Sequence, residues 1–156
     1  MKKLMLAGAW VVAVISVAAA QGTGGAKNAG QPLKWGPAPA VFPAGAKMAV
    51  LAGDPGKAEE FTVRLDMPAG YTIKPHWHPT DEHITVIKGT FLVGMSDTVN
   101  AKQTLALNVG DFATAMANQH HYGIARGRTI VQVHAIGPFA LTYVNPKDDP
   151  SKIASK

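Results

Sequence analysis

Apolar and polar side chains alternate strictly along one early stretch: Phe61, Val63, Leu65 and Met67 are apolar, and Thr62, Arg64 and Asp66 between them are polar. A period of two is that of a β-strand with one buried face. Runs of the same kind cover residues 71–77, 82–87, 90–95, 103–107, 111–116, 121–126, 129–136 and 139–144. Gly and Pro separate these runs, and no stretch between Lys47 and Val144 carries a 3.6-residue apolar period. Many short strands at turn-rich spacing predict a single all-β domain, a barrel or a sandwich. Phe42-Pro43-Ala44-Gly45 and Met67-Pro68-Ala69-Gly70 read as the same turn chemistry used twice, with Pro fixing φ and Gly free to take positive φ.

The two ends follow different rules. Lys2 and Lys3, an apolar run from Leu4 to Val17 and the small residues Ala18, Ala19 and Ala20 have the three parts of a secretory signal peptide, residues 1–20, with cleavage after Ala20. The competing reading is an uncleaved membrane anchor, because the apolar run approaches the ~18 residues that suffice for a bilayer span. Residues 21–44 read as a linker and an extended N-terminal arm. Gln21 to Gly30 is Gly, Ala and Asn without periodicity, and the Pro-punctuated segment after it can still pack Leu33, Trp35, Val41 and Phe42. Residues 45–145 form the folded domain, and 146–156 a charged, Pro-broken tail expected to fray.

Composition changes this picture in two ways. The chain has no cysteine, so thiolate chemistry and disulfides are excluded, and an exported domain of this length must be held by its core alone. The formal charge of +5 falls to +3 once Lys2 and Lys3 leave, and the remaining cations are scattered apart from Arg126 and Arg128. No phosphate-tracking stripe is present, which argues against a nucleic-acid partner. The expected location is periplasmic or secreted, with no membrane association after cleavage.

His76 and His78 are two residues apart, so in a strand both imidazoles point the same way. Pro79 follows at once, and a bend there lets Glu82 join them, with His121 supplying a fourth ligand from another strand. Three imidazoles and a carboxylate suit one divalent transition metal (Mn, Fe, Zn, Ni or Cu) without selecting among them. Histidines that only satisfy hydrogen bonds are the bland alternative for a His-x-His pair taken alone.

Gly70, five residues, His76, one residue, His78, three residues, Glu82, six residues and Gly89 resemble the complete first motif of the cupin superfamily. The second motif is matched in part. Gly110 and His121 stand at its separation, while Met116, Asn118 and Ala125 occupy positions where the family usually has Pro, Gly and Asn. The resemblance spans roughly the whole domain and implies a small double-stranded β-helix barrel, jelly-roll-like, with His76, His78, Glu82 and His121 as metal ligands. It also implies a small-molecule substrate or ligand and a homodimer, for which the 33–42 segment is a candidate exchanged arm. The activities it suggests are a dioxygenase or other oxidoreductase, a redox-neutral lyase, isomerase or hydrolase, or a non-catalytic binding protein.

Alternation assigns the neighbours. Glu82 inward carries Ile84 and Val86 inward and sends His83 outward; His120 lies behind His121 or at the surface unless a bulge exchanges the two. A two-residue hairpin turn at Arg126-Gly127 or Gly127-Arg128 would place Gln132 and His134 on the face of His121, making His134 the candidate catalytic acid or base. A three-residue turn would instead turn Val131 and Val133 inward. Tyr122, Tyr143, Phe91 and Phe112 are expected in the core, Trp77 on the outer face, and Lys74 inward unless Pro75 disturbs its strand.

Overall fold

The computed structural model describes residues 32–153, so the signal peptide and most of the linker expected from the sequence lie outside the described part. Nine strands follow in order: β1 (Gly36–Pro37), β2 (Lys47–Ala52), β3 (Glu60–Met67), β4 (Thr72–Trp77), β5 (Glu82–Gly94), β6 (Leu105–Leu107), β7 (Phe112–Ala115), β8 (His121–Ile136) and β9 (Thr142–Tyr143). They make a curled, antiparallel, all-β barrel. In the final segment Asn145 caps a 3-10 turn over Pro146–Asp148, and a helical turn covers Pro150–Ile153.

β5 and β8 form the spine. Each was expected as two strands, but each runs on as one and the pair bends together. The first half of β5 pairs with the second half of β8, next to β3 and β7; the second half of β5 pairs with the first half of β8, next to β4 and β6. The bend falls where Gly89 of β5 is opposed by residues 127–129 of β8, between the pairs Lys88↔Ile130 and Thr90↔Arg126. Gly89 has φ +77°, and a Cβ there would sit 2.6 Å from the Arg128 carbonyl oxygen, so only glycine fits this corner.

Phe61, Val63, Leu65, Val131 and Val133 from one half and Ile73, Phe91, Val93, Leu107 and Ala125 from the other share a single apolar core. Phe112 departs from expectation. It is 59% exposed, lying on the outer face with its ring stacked on His83, because β7 is short and its outer side is uncovered. Tyr122 is buried, but beneath the loop after β5, where its hydroxyl donates to the Asn100 carbonyl and accepts from the Asn100 amide. Among the described residues no helix is long and apolar enough to cross a membrane.

Candidate metal centre

The four residues singled out by spacing converge. Ile73 and His76 both face inward although three positions apart, because the β4–β8 register slips between them; Lys74 is thereby turned out to solvent, and Pro75 accounts for the slip. His76 then pairs directly with His121 across β4 and β8. His78 follows the end of β4, and Glu82 opens β5 on its inner face with Ile84 and Val86, as alternation requires. All four side chains are buried, and one ligand atom from each lies within 4.8 Å of the others.

Tautomers can be read from the outer side of each ring. His76 Nδ1 lies 2.7 Å from the Lys74 carbonyl, His78 Nδ1 2.8 Å from that of Ala140, and His121 Nδ1 3.0 Å from that of Gln119. A carbonyl only accepts, so each Nδ1 carries the proton, and in the neutral ring the Nε2 lone pair is left for the interior. His78 Nε2 and His121 Nε2 are buried without a hydrogen-bond partner, although they approach Glu82 Oε2 to 3.5 and 3.3 Å. Inward lone pairs facing a carboxylate lack only a cation. This donor set fits a divalent metal, with His76, His78, Glu82 and His121 to hold it.

Electrostatics agree. Burial would raise the Glu82 carboxyl, but the close approach of His121 at 3.3 Å and the other imidazoles outweigh it and hold it at about 2, so Glu82 is ionised. Burial, reinforced by His121 and His78, depresses His76 to about 3, and burial also lowers His78; both are neutral at pH 7. His121 goes the other way: burial would lower it, but Glu82 raises it above the usual imidazole value. With no cation, a proton on His121 is the natural partner of Glu82.

His134 is corrected by the structure. It lies on the outer face, exposed, while Val131 and Val133 face the cluster. The reason is that residues 126–128 make no hairpin: β8 continues through the bend, so the odd positions on both sides of it, His121 to Ala125 and Thr129 to Ala135, are buried on the inner side. Arg64 Nε donates to Gln132 Oε1, which turns the Gln132 amide to donate to His134 Nε2; His134 Nδ1 in turn donates to Thr62 Oγ1, 2.8 Å away. His134 and His83 border a surface cavity of about 660 Å³ that none of the four cluster residues lines. His120 also stays outside, paired with Asp97 at 2.6 Å.

The turn before His121 keeps its geometry despite its unusual residues. Asn118 takes φ +62°, a left-handed value that Asn tolerates, and its amide donates to the His78 carbonyl at 2.8 Å. Beyond the four cluster residues the chamber is wholly apolar, lined by Phe42, Leu65, Ile73, Ile84, Phe91, Gly123, Val131, Val133 and Leu141, and its free volume is about 20 Å³. Phe139 stacks on the His78 ring at 5.1 Å. Sequence pattern left Phe42 and Phe139 without a place at the site, because their neighbours there are remote in the chain.

The sequence matches the cupin domain family over residues 63–137, which carry the complete first motif and His121. The chain belongs to the cupin superfamily. Solved structures agree on the fold. A provisionally named acetylacetone dioxygenase from Methylibium petroleiphilum is 22% identical, with 96% of this chain and 90% of that one covered at a TM-score of 0.60. The polyketide cyclase RemF from Streptomyces resistomycificus is 17% identical, with 71% and 79% covered at 0.55. An RmlC-like cupin from Shewanella frigidimarina is also 17% identical, with 70% and 88% covered at 0.54. No curated protein sequence matches the chain. At these identities the likeness establishes the cupin barrel and leaves activity to the site.

Proposed function

We propose that this cupin is a metal-dependent oxygenase of the dioxygenase type, acting on a small, largely apolar compound that binds as an enolate or a 1,3-dicarbonyl. His76, His78, Glu82 and His121 are its metal ligands. A bound divalent transition metal would supply Lewis acidity at the open coordination positions and, if redox-active, the means to couple an electron-rich organic ligand to dioxygen. The observation that carries the reading is the lining: apart from the four ligands, every chamber residue is apolar. Lyase, isomerase or hydrolase chemistry calls for a positioned acid or base, and with His134 outside, no chamber-lining side chain among the described residues offers one beyond the four ligands. What the chain itself does is exclude water, hold three imidazoles in one tautomer, and accept an apolar ligand by shape.

One observation favours a second reading, that of a non-catalytic metal- or ligand-holding cupin: a chamber of about 20 Å³ has room for an ion and little else. Oxygen consumption decides between them. Protein reconstituted with ferrous iron is given 2,4-pentanedione in an oxygen electrode. Uptake that requires both the diketone and His121 supports the oxygenase; a full complement of iron with no uptake across a panel of enolisable compounds supports the holding role. Export to the periplasm or beyond, through residues 1–20, and assembly as a homodimer are proposed alongside, on the Lys-apolar-Ala pattern of the leader and on the family resemblance.

A further inference from the structure

The metal chamber is closed by a loop from outside the two cupin motifs. Residues 38–46 join β1 to β2, and the base of the loop is fastened by the pairs Pro37↔Lys47 and Gly36↔Met48 and by Ala38 N–H donating to the Ala46 carbonyl at 3.1 Å. At the tip, Phe42 N–H donates to the Pro39 carbonyl at 2.9 Å, so the tip is a turn that moves as a unit. Phe42 is 4% exposed and lines the chamber with all four cluster residues.

We infer that loop 38–46 is a lid and that Phe42 determines which ligands reach the metal centre. Nothing in the barrel ladder holds the tip down. Two phenols do: Tyr71 donates its hydroxyl proton to the Pro43 carbonyl at 2.5 Å, and Tyr143 donates to that of Val41 at 2.9 Å. The third contact is the stack of Phe42 on Phe139 at 6.2 Å, and Phe139 itself covers His78. Two hydrogen bonds, one aromatic contact and the burial of the Phe42 side chain against the core make a latch whose opening is a local event that leaves the barrel ladder intact.

The size of the chamber requires such motion. About 20 Å³ exceeds the ~10–15 Å³ that a single water-sized occupant needs, but a dicarbonyl ligand has no space beside an ion. Withdrawing the Phe42 ring vacates the volume of a benzene in the roof of the chamber. The ligand class is then a flat molecule little larger than that ring, with apolar flanks and two oxygens directed down to the metal. This inference rests on the reading of the four residues as a metal centre.

The test uses Co2+-loaded protein, whose visible absorption reports the centre, in wild type, Phe42→Ala and the double variant Tyr71→Phe/Tyr143→Phe. The double variant keeps every chamber-lining residue and removes only the hydroxyl latch. Stripping of Co2+ by EDTA is expected to be at least tenfold faster in both variants. Only Phe42→Ala is expected to bind 1,3-diphenyl-1,3-propanedione, which wild type excludes while binding 2,4-pentanedione. Stripping rates within twofold of wild type in both variants would overturn the lid, and diphenyl-diketone binding equal in wild type and Phe42→Ala would overturn the role of Phe42. If wild type takes up no Co2+, the metal reading itself fails. The lid is then judged on metal-free protein by NMR: benzene entering Phe42→Ala but not wild type supports it, and equal uptake overturns it.

Discussion

Replacing Glu82 with Leu separates a metal ligand from a structural ion-pair partner. In the metal-free protein the cluster is a burden: His78 Nε2 is buried without a partner, His121 Nε2 has only the Glu82 carboxylate at 3.3 Å, and that carboxylate is itself buried. An orphaned buried polar atom costs ~1–3 kcal/mol, relief that a bound cation supplies. A ligand at about a thousand times its Kd stabilises by ~4 kcal/mol, the same order. For the folded residues 32–153, an unfolding entropy of about 2.1 cal/mol/K per residue turns that into a Tm increment of roughly 15 °C. Glu82→Leu replaces the buried carboxylate with an apolar side chain of similar size, and His121 can then shed its proton, so no uncompensated buried charge is left behind. Differential scanning fluorimetry of both proteins, with EDTA and with saturating Mn2+ or Zn2+, is the assay. Metal-free Glu82→Leu is expected to melt at or above metal-free wild type and to show none of the increment. A metal-free variant that melts many degrees below wild type would refute the reasoning, because Glu82 would then be stabilising the fold through His121 alone.

Three other outcomes follow from the same geometry. Because Glu82 holds a proton on metal-free His121 above the usual imidazole value, protons compete with the metal from above pH 6.5 downward. Apparent affinity in a competition titration should therefore fall about tenfold per pH unit on the acid side of that point, and a flat profile from pH 8 to 5.5 would exclude His121 as a ligand. His134→Ala should leave metal content and any turnover within twofold of wild type and cost at most about 1 kcal/mol in urea denaturation, since it removes an exposed network with Thr62 and Gln132. Asp66→Asn removes the charge and one of the two acceptors that Arg128 uses, at 3.0 and 2.6 Å, and should lower the urea midpoint at pH 7. Arg128 holds the Asp66 carboxyl below its ordinary 3.8, so that stabilisation is complete above this value and fades as pH falls through the lower folded value, where the variant and wild type should converge in stability.

Local spacing made the ligand set legible. His76 and His78 share a face through the period of the strand, and Glu82 reaches them across a turn announced by Pro79, so three of the four ligands needed no knowledge of tertiary contacts. His121 came through the family resemblance, and its turn survived unusual residues because Asn118 can take the positive φ that a glycine would supply. His134 was misplaced for a topological reason. Arg126-Gly127-Arg128 has hairpin chemistry, but the chain bends there without reversing, and a bend preserves the parity that a hairpin would shift. Phe42 and its latch could not be read at all. Its Phe-Pro-Ala-Gly context matches an ordinary turn, and the contact between Tyr143 and the Val41 carbonyl joins residues 102 apart in sequence, with no local pattern to mark it.

The central claim is that four side chains on this cupin barrel hold one metal ion. Elemental analysis of purified wild type, His76→Ala, His121→Ala and His134→Ala after identical reconstitution tests it most directly. One transition-metal ion per chain is expected in wild type and His134→Ala, and a folded but metal-depleted chain in the other two. Wild type that retains no metal after reconstitution, or His121→Ala that retains a full equivalent, would contradict it.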